Sequence, residues 1–344
     1  MSTVRHAAIS GVGSSLPARV VPNAFFESRV DTTDEWIRER TGIRSRHFAS
    51  DGETTSSLAA GAATRALEGA GLEAEAIDLL IVCTITSDRP MPSTAAYVQA
   101  RLGMHCPAFD MNAACAGFVY GLSVATAQVQ AGAADRVMLI GAETISRALD
   151  LTDRSTCVLF GDGAGAVVLE PSEDPGVISS RLELDGTAAE LLTIPAGGSE
   201  QPASEESVRE RRHAIRMNDG PAVFKRAVTG MAEACAGLLD KAGLTGDDVT
   251  VVIPHQANLR IMNAIADRLS IPREKVFVDI EEVGNTSAAS IPIAMDHAWR
   301  AGAVSPGDVV LTTAFGGGLA WGANLLRWTA PAPDGAARDG GARG

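Results

Sequence analysis

The chain has 344 residues, of which 46% are hydrophobic and only 4% aromatic, and its formal net charge is −13. That length allows a large buried core in one or two domains, and the small-residue composition favours helices packed closely on strands. The negative charge excludes a bulk nucleic-acid binder, which needs a basic surface. No apolar run approaches the roughly 20 residues of a membrane span, so no membrane partner is expected either.

The five cysteines have spacings that match no disulfide framework and no CxxC metal motif. No signal peptide is recognisable at the N-terminus. The sequence therefore predicts a cytoplasmic protein with reduced cysteines and no metal site.

In chain order, the first clear elements lie in residues 66–85, "ALEGAGLEAEAIDLLIVCTI". This pattern predicts the end of a helix, a C-cap at Gly71 and then a buried strand. Residues 117–143, "GFVYGLSVATAQVQAGAADRVMLIGAE", predict an apolar helix, an Ala-Gly-Ala exit and another buried strand. A third continuous apolar run, "GAVVLE", follows at 165–170.

The second half of the chain repeats this order. Residues 238–257, "LLDKAGLTGDDVTVVIPHQA", resemble 66–85 with an offset of 172 residues between the two Ala-Gly-Leu segments. Residues 287–316, "SAASIPIAMDHAWRAGAVSPGDVVLTTAFG", resemble 117–143 with an offset of 170 between the two Ala-Gly-Ala segments. Chance similarity of two helix–strand units is the alternative, but the shared order and near-equal offset favour an internal duplication.

A duplicated α/β chain with continuous apolar strands predicts two sheets, each covered by helices on both faces. We therefore expect a five-layered α-β-α-β-α sandwich, with one half at residues 1–175 and the other at 176–329. The tail, residues 330–344, is rich in Pro, Gly and Ala, and it is predicted to be disordered. In such sheets, ligands bind beyond the carboxyl ends of the strands.

Special residues fall at these strand ends and at the helix starts beyond them. Cys115 precedes the helix of 117–143, and the offset of 170 pairs it with Asn285. His255 ends the strand "TVVIPH", and the glycines of "AFGGGLAWG" end the strand "DVVLTTAF". Because duplicated halves packed face to face bring such ends together, we expect these residues to converge.

The chemistry of this set is that of a nucleophile with hydrogen-bond donors. A helix N-terminus favours a thiolate, so Cys115 is predicted to be a nucleophile. A lone cysteine is more often buried and inert, and that interpretation is kept for Cys83, Cys106, Cys157 and Cys235. His255 and the neighbouring Asn285 can donate hydrogen bonds to an oxygen that gains negative charge.

At these residues the sequence resembles the β-ketoacyl-acyl-carrier-protein synthase III family, the initiating condensing enzymes of the thiolase-like superfamily. The likeness spans about residues 5 to 328. It rests on motifs in the family's order: "TDEWIRERTGIRSRH", "AACAGF", "LFGDGAGAVVLE", "PHQANLRI", "GNTSAAS" and "FGGGLAWG". Asn285 in "GNTSAAS" favours the initiating type, since the elongating synthases pair their cysteine with two histidines.

The resemblance implies a catalytic triad of Cys115, His255 and Asn285, with an oxyanion hole made by the backbone N–H groups of Cys115 and Gly317. Cys115 would take the acyl group from an acyl-CoA primer. Malonyl-acyl-carrier protein would then lose CO₂ and condense with that acyl group to give a 3-oxoacyl-acyl-carrier protein. No metal or redox cofactor is needed for this reaction.

The same resemblance implies a CoA site formed by Trp36, Arg40, Arg154, Phe160 and Asn258. Trp36 would stack on the adenine, and the two arginines would hold the nucleotide end. From the residues alone, an ordinary amphipathic surface helix is the preferred interpretation of Trp36 and Arg40. The segment "GDGAG" lacks the Lys-Ser/Thr of a phosphate loop, so a tight structural turn is predicted there.

The partner surfaces are also implied by the family. Lys225, Arg226, Arg260 and Arg268 are candidates for docking the acidic carrier protein, with ordinary surface charge as the alternative for Arg226 and Arg268. Met91 matches the acyl-pocket wall that is contributed across a homodimer. Met is flexible, so the primer length stays open.

Three other functions remain as alternatives. A pathway-specific relative would start a polyketide or transfer an acyl group without condensation. A Cys-His-Asn hydrolase would not explain the duplication. A non-catalytic CoA-binding module would not need all three triad residues.

Overall fold

The structure is a computed structural model, and it describes residues 5–333. Within that range the helices are α1 (Ala24–Glu27), α2 (Asp34–Thr41), α3 (Thr55–Ala70), α4 (Thr94–Leu102), α5 (Gly117–Gln130), α6 (Arg154–Cys157), α7 (Glu205–Arg209), α8 (Gly220–Ala242), α9 (Leu259–Leu269), α10 (Ile280–Val283) and α11 (Ser290–Arg300). The strands are β1 (His6–Ser15), β2 (Val20–Pro22), β3 (Ser45–His47), β4 (Leu79–Cys83), β5 (Ala108–Met111), β6 (Val137–Thr144), β7 (Asp162–Ser172), β8 (Val177–Leu184), β9 (Leu192–Thr193), β10 (Arg216–Met217), β11 (Val251–Pro254), β12 (Val309–Gly316) and β13 (Ala320–Arg327).

Two mixed sheets form the framework. The first has the order β1-β7-β6-β4-β5, and the second has the order β8-β13-β12-β11. In the first sheet β4 runs parallel to β5 and β6, while β7 is antiparallel to β1 and β6. The second sheet repeats these directions, and Val276 forms a parallel bridge to Val252 in the place that β5 takes in the first. The matching order and directions confirm the predicted duplication.

Helices cover both faces of each sheet. On β4, Leu80 and Val82 pack with the outer helices α3 and α4, whereas Ile81 and Cys83 pack with α5. Helices α5 and α11 lie together between the two sheets, and α8 and α9 cover the outer face of the second sheet. This alternation of inward and outward side chains explains the continuous apolar strands. The predicted five-layered α-β-α-β-α sandwich is confirmed.

The two helices that the sequence predicts before a buried strand, α3 and α8, end at the predicted glycine caps. Gly71 ends α3 and Gly243 ends α8, both in the left-handed conformation, with φ of 66° and 68°. A side chain at either position would be strained, because L-residues rarely adopt positive φ. The chain leaves the first sheet at Ser172 and enters the second at Val177.

The pairing of Cys115 with Asn285 is wrong by three residues. A 3-10 turn precedes each central helix, at Ala114–Ala116 before α5 and at Ser287–Ala289 before α11. Each turn begins with a non-glycine residue at positive φ, 47° at Ala114 and 53° at Ser287. The offset is therefore 173 here and falls to 170 at the helix ends, because α11 is three residues shorter than α5.

The predicted turn at "GDGAG" is also wrong, since Asp162–Ser172 is a continuous strand, β7. Its glycines serve close packing instead. A Cβ at Gly165 would lie 2.5 Å from the backbone N of Ile293, so a side chain there would push β7 away from α11.

The predicted disordered tail begins too early at residue 330. Ala330 is fully buried, and the Trp299 indole N–H donates to the carbonyl of Pro331 at 2.6 Å. Residues 334–344 of that prediction lie outside the described residues. Across residues 5–333, no helix has the length and apolar character needed to cross a membrane.

Candidate active site

Cys115 lies in the 3-10 turn between β5 and α5, with 8% of its surface exposed. The side-chain oxygen of Asn112 accepts a hydrogen bond from the Ala114 N–H at 3.1 Å, which holds the turn in place. The turn is thus a rigid support that presents the thiol at the start of a helix, as the sequence predicts.

The glycine-rich end of β12 lies directly against this turn. A Cβ added at Gly316 would stand 2.5 Å from the backbone N of Cys115, so only glycine permits the approach. The next residue, Gly317, lines the same cavity as Cys115. The structure therefore brings together the two residues predicted to form the oxyanion hole.

His255 follows β11 and is 2% exposed. Its Nδ1 lies 2.6 Å from the Ser290 hydroxyl, which also accepts a long, 3.4 Å hydrogen bond from the Gln256 N–H. The Ser290 hydroxyl can donate its proton to Nδ1, and in that arrangement the neutral ring carries its proton on Nε2. Burial lowers the pKa of His255 to about 3, so the imidazole is neutral at pH 7.

Asn285 is also buried, and its backbone is pinned in the bridge beside Phe160. Its side-chain Oδ1 accepts from the Ser287 N–H at 2.9 Å. That bond fixes the amide so that Nδ2, the donor end, is left free of hydrogen bonds to the residues from 5 to 333. His255 and Asn285 thus each offer one N–H donor.

Two cavities meet at Cys115. One, of 290 Å³, is lined by Gly317, Ser287 and a group of aliphatic side chains: Ile85, Ile145, Leu192, Ile194 and Ile215. The other, of 240 Å³, is lined by Cys115, His255 and Asn285, and it extends past Phe224 to Arg40 and Asn258. The three predicted triad residues therefore share one cavity wall, and Phe160 lines both cavities.

The prediction that the site favours a thiolate is contradicted by the structure. Burial raises the pKa of Cys115 to about 11, and the charge of Glu143 acts in the same direction. A hydrogen bond with the Ser287 side chain offsets this in part. The loss of hydration outweighs the hydrogen bonds that lower the pKa of this thiol, so the resting cysteine is a thiol.

Of the residues predicted for CoA, Arg40, Phe160 and Asn258 line the 240 Å³ cavity. The Arg154 guanidinium lies 4.9 Å from the Trp36 ring centroid, and the Arg40 guanidinium lies 5.9 Å from it. Asn258 caps α9 through its Oδ1 and donates its Nδ2 to the Arg40 carbonyl at 3.0 Å. Both ends of the Asn258 amide are thus used within the protein.

The four predicted docking cations lie on α8 and α9, which pack side by side. Arg226 pairs with Asp185 at 2.5 Å, and Arg268 donates to the Thr229 hydroxyl at 3.2 Å. The Arg260 guanidinium lies 5.9 Å from the centroid of the Phe224 ring, and Phe224 lines the 240 Å³ cavity. Lys225 lines a surface depression together with Arg226.

Met91 is 84% exposed and lines neither cavity of its own chain. Any contact with an acyl group would therefore have to be made in a second copy. The assignment of Met91 to the acyl-pocket wall of a second subunit therefore stays a prediction.

Several residues of the site were missed in the sequence analysis. Ser290 orients the histidine, Ser287 contacts Cys115, and Glu143 is a buried carboxylate behind them. A usable signal existed for Glu143, since a charged residue ends the apolar run "RVMLIGAE". The aliphatic wall had no such signal, because its members come from distant segments.

A cysteine enclosed between two equivalent α/β halves, with amide and imidazole donors beside it, defines a thiolase-like enzyme that transfers acyl groups. Two family models narrow that class. The 3-oxoacyl-[acyl-carrier-protein] synthase III model matches residues 109–186, and the model of the C-terminal part of that synthase matches residues 239–328.

Relatives that match along nearly the whole chain indicate the same family. The β-ketoacyl-[acyl-carrier-protein] synthase III of Ruegeria pomeroyi is 52% identical over 94% of this chain and 99% of its own. The crystal structure of 3-oxoacyl-[acyl-carrier-protein] synthase III from Aquifex aeolicus is 48% identical with a TM-score of 0.86, covering 94% of this chain and 100% of that one. The priming β-ketosynthase of the R1128 polyketide pathway is 38% identical with a TM-score of 0.89, covering 96% and 98%. The chain belongs to the 3-oxoacyl-[acyl-carrier-protein] synthase III family, and it is an acyltransferase of the condensing type.

Proposed function

We propose that this protein condenses an acyl-CoA primer with malonyl-acyl-carrier protein, with loss of CO₂, and so initiates fatty-acid synthesis. The observation that carries the proposal is the position of Cys115 at the junction of two cavities. The cavity lined by isoleucine and leucine side chains suits an acyl chain, and the other extends to Arg40 and Asn258. A covalent acyl intermediate requires one space for the acyl chain and another for the incoming substrate.

In the first half-reaction, Cys115 attacks the thioester carbonyl and CoA leaves. The carbonyl oxygen gains negative charge in the transition state. The backbone N–H groups of Cys115 and Gly317 are proposed to stabilise it, supported by the close approach of Gly316 to the cysteine backbone. Donors held in place before the reaction lower the barrier because they need no reorganisation.

In the second half-reaction, the thioester oxygen of the malonyl group receives hydrogen bonds from His255 Nε2 and Asn285 Nδ2. Loss of CO₂ builds enolate charge on that oxygen, which strengthens both bonds in the transition state. The carbanion then attacks the acyl group on Cys115. A neutral histidine suits this role, since it donates a hydrogen bond without protonating the enolate. No metal or redox cofactor takes part.

For the CoA moiety, we propose that Trp36 stacks on the adenine and that Arg40 and Arg154 hold the nucleotide phosphates. Phe160 lines the passage between the two cavities, and Asn258 positions the Arg40 backbone. The pairing of both arginines with the Trp36 ring supports this assignment.

The acidic carrier protein is proposed to dock on Lys225, Arg226, Arg260 and Arg268. Arg260 is the best supported because it lies beside Phe224, a residue that lines the 240 Å³ cavity. A homodimer is proposed through β5, an edge strand whose Phe109 is 40% exposed, with Met91 of each subunit reaching its partner's acyl cavity. Five free cysteines, all buried, support a cytoplasmic location.

A second candidate function is the start of a polyketide or another specialised acyl chain. It is favoured by the similarity to the R1128 priming ketosynthase and by the 290 Å³ cavity, which has about ten times the volume of one liquid water. Acyl groups larger than acetyl fit such a space.

One experiment tests both candidates. The protein is incubated with a panel of acyl-CoAs and malonyl-acyl-carrier protein, and intact-mass detection follows the enzyme and the carrier. We expect an acyl adduct on Cys115 and a 3-oxoacyl carrier, with the preferred primer separating the two pathways. Cys157→Ala, a buried cysteine that lines neither cavity, is the matched control. Acylation without carbon–carbon bond formation would refute condensation.

A further inference from the structure

Glu143, at the end of β6, is a fully buried carboxylate close to the site. Four groups donate hydrogen bonds to it: the Thr84 hydroxyl at 3.1 Å, the Ile85 N–H at 3.2 Å, the Thr86 hydroxyl at 2.5 Å and the Ser287 hydroxyl at 3.1 Å. A buried carboxyl with this many donors is arranged to hold a negative charge.

No cation balances that charge among residues 5–333. The hydrogen-bond partners of Glu143 are all neutral, and the titratable groups that feel its charge are Cys83 on β4 and Cys115 before α5. Asp110 adds a further negative charge near Cys83. Burial raises the pKa of Glu143 to about 7, although each hydrogen bond opposes that change. The carboxyl can therefore gain or release a proton near neutral pH.

Ser287 links this carboxylate to the nucleophile. Its hydroxyl donates to Glu143 Oε1 at 3.1 Å, and the same side chain lines the cavity beside Cys115 and offsets part of the rise in the pKa of that thiol. Ser287 and Cys115 line the same cavity. A hydroxyl that donates to a carboxylate is left with lone pairs that accept from a thiol, so the chain runs from Cys115 through Ser287 to Glu143.

The site needs such a proton acceptor. Cys115 is a thiol at rest, and His255 is a neutral ring whose Nδ1 is occupied by Ser290. Neither group supplies a thiolate by itself. An ionised Glu143 opposes a second negative charge on Cys115, but a proton transfer between them moves one charge and creates none.

We propose that Glu143 accepts the Cys115 thiol proton through the Ser287 hydroxyl when the thioester is attacked. The proposal rests on the acyl-transfer role proposed for Cys115. Glu143 is a positioning residue in this scheme, since it acts on the nucleophile through Ser287.

The S–H bond of Cys115 breaks, its proton passes to Ser287 Oγ, and the Ser287 proton passes to Glu143 Oε1. The sulfur forms a bond to the thioester carbonyl carbon, and the bond from that carbon to the CoA sulfur breaks. The CoA thiolate takes the proton back from Glu143 through Ser287, so Glu143 ends as it began.

The test measures thiolate formation without any acyl substrate. Iodoacetamide is added to the full-length protein over a range of pH on either side of 7, and peptide mass spectrometry gives the alkylation rate at Cys115. We expect the wild-type rate to rise with a midpoint near pH 7. Glu143→Gln is expected to lower the rate at pH 7 about a hundredfold and to move the rise to alkaline pH.

Two further variants separate a relay from a structural effect. Ser287→Ala leaves Glu143 in place and is expected to give the same shift. It is expected to fold, since Ala114 adopts the equivalent backbone conformation in the first half. Asp162→Asn removes another fully buried carboxyl, one that is hydrogen-bonded to Ser146 and Ala49 and is not linked to Cys115. Its profile is expected to stay within about twofold of wild type, because none of the hydrogen bonds that Asp162 accepts comes from Ser287 or Cys115.

The outcomes are distinct. Superimposed profiles for wild type and Glu143→Gln overturn the relay, as does faster alkylation of Glu143→Gln at pH 7. An equal loss in Asp162→Asn overturns it too. If Glu143→Gln does not fold, Ser287→Ala carries the test alone. A protein that no acyl-CoA acylates would refute the proposed function, and the alkylation profile would still test the relay.

Discussion

The two turns that precede the central helices have the same backbone and different chemistry. In the first half, Asn112 accepts from the Ala114 N–H, and in the second, Asn285 accepts from the Ser287 N–H. The residue after each positive-φ position is Cys115 in one half and Ala288 in the other. One copy of the duplicated turn therefore supplies the thiol, and the other supplies the amide and the serine beside it.

The strand ends show the same division. Thr84 follows β4 and takes part in the carboxylate network of Glu143, whereas His255 follows β11 and is neutral. The first half thus places a nucleophile near a buried negative charge, and the second half places neutral donors around it. The difference indicates that duplication provided the scaffold and that each half then took a separate chemical role.

The largest expected effect comes from the position of the thiol. We expect Cys115→Ala to abolish acylation and to reduce condensation by roughly a thousandfold or more. Adding Ala288→Cys to that variant is not expected to restore either, because Ala288 packs against Gly117 and lines neither cavity. Intact mass after incubation with acyl-CoA checks this, and an acyl adduct on residue 288 would show that the two turns are interchangeable.

A smaller effect is expected when the equivalent asparagines of the two turns, Asn285 and Asn112, are replaced. Asn285→Ala is expected to keep acyl transfer and to lose about a hundredfold in condensation, since it removes a donor to the enolate oxygen. Asn112→Ala removes the support of the Ala114 N–H and one polar group from the wall of the 290 Å³ cavity, so we expect a loss of about 1 kcal/mol in unfolding free energy and a smaller loss of condensation than in Asn285→Ala. Single-turnover acylation, condensation rates and urea unfolding are measured for both. Equal losses of condensation rate in the two variants would contradict the assignment of the enolate donor to Asn285 rather than to Asn112.

The smallest expected effect is a change in how the free energy of unfolding depends on pH. The pKa of Glu143 is raised from 4.5 to about 7 in the folded protein, so the native state holds a proton that the unfolded chain has already released. Its contribution is present below pH 4.5 and is lost as pH rises through 7. Glu143→Gln has no titrating carboxyl at this position, so its stability does not fall in this way. We expect the free energy of unfolding of Glu143→Gln, relative to that of wild type, to rise by about 2 kcal/mol between pH 5 and pH 8. Urea unfolding at the two pH values measures the difference, and parallel behaviour of both proteins would show that Glu143 does not titrate in that range.

Much of this site can be predicted from the sequence, and two errors show which features cannot be predicted from it. The repeat correctly indicated two equivalent sheets, and the strand-end argument indicated that Cys115, His255 and Gly317 would share a location. The register of the repeat failed before α11 because that helix is three residues shorter than α5. "GDGAG" was misread because glycines that allow close packing of β7 on α11 look like turn glycines in one dimension.

The sequence by itself determined the duplicated fold and which residues are proposed to react, since apolar periodicity, glycine caps and motifs are local properties of the chain. Only the tertiary structure decided the electrostatics. Whether Cys115 rests as a thiol, whether His255 is neutral and where Glu143 sends its hydrogen bonds all depend on burial and on contacts between residues far apart in the chain. Loss of hydration is a property of the packed core, and no short stretch of sequence contains it.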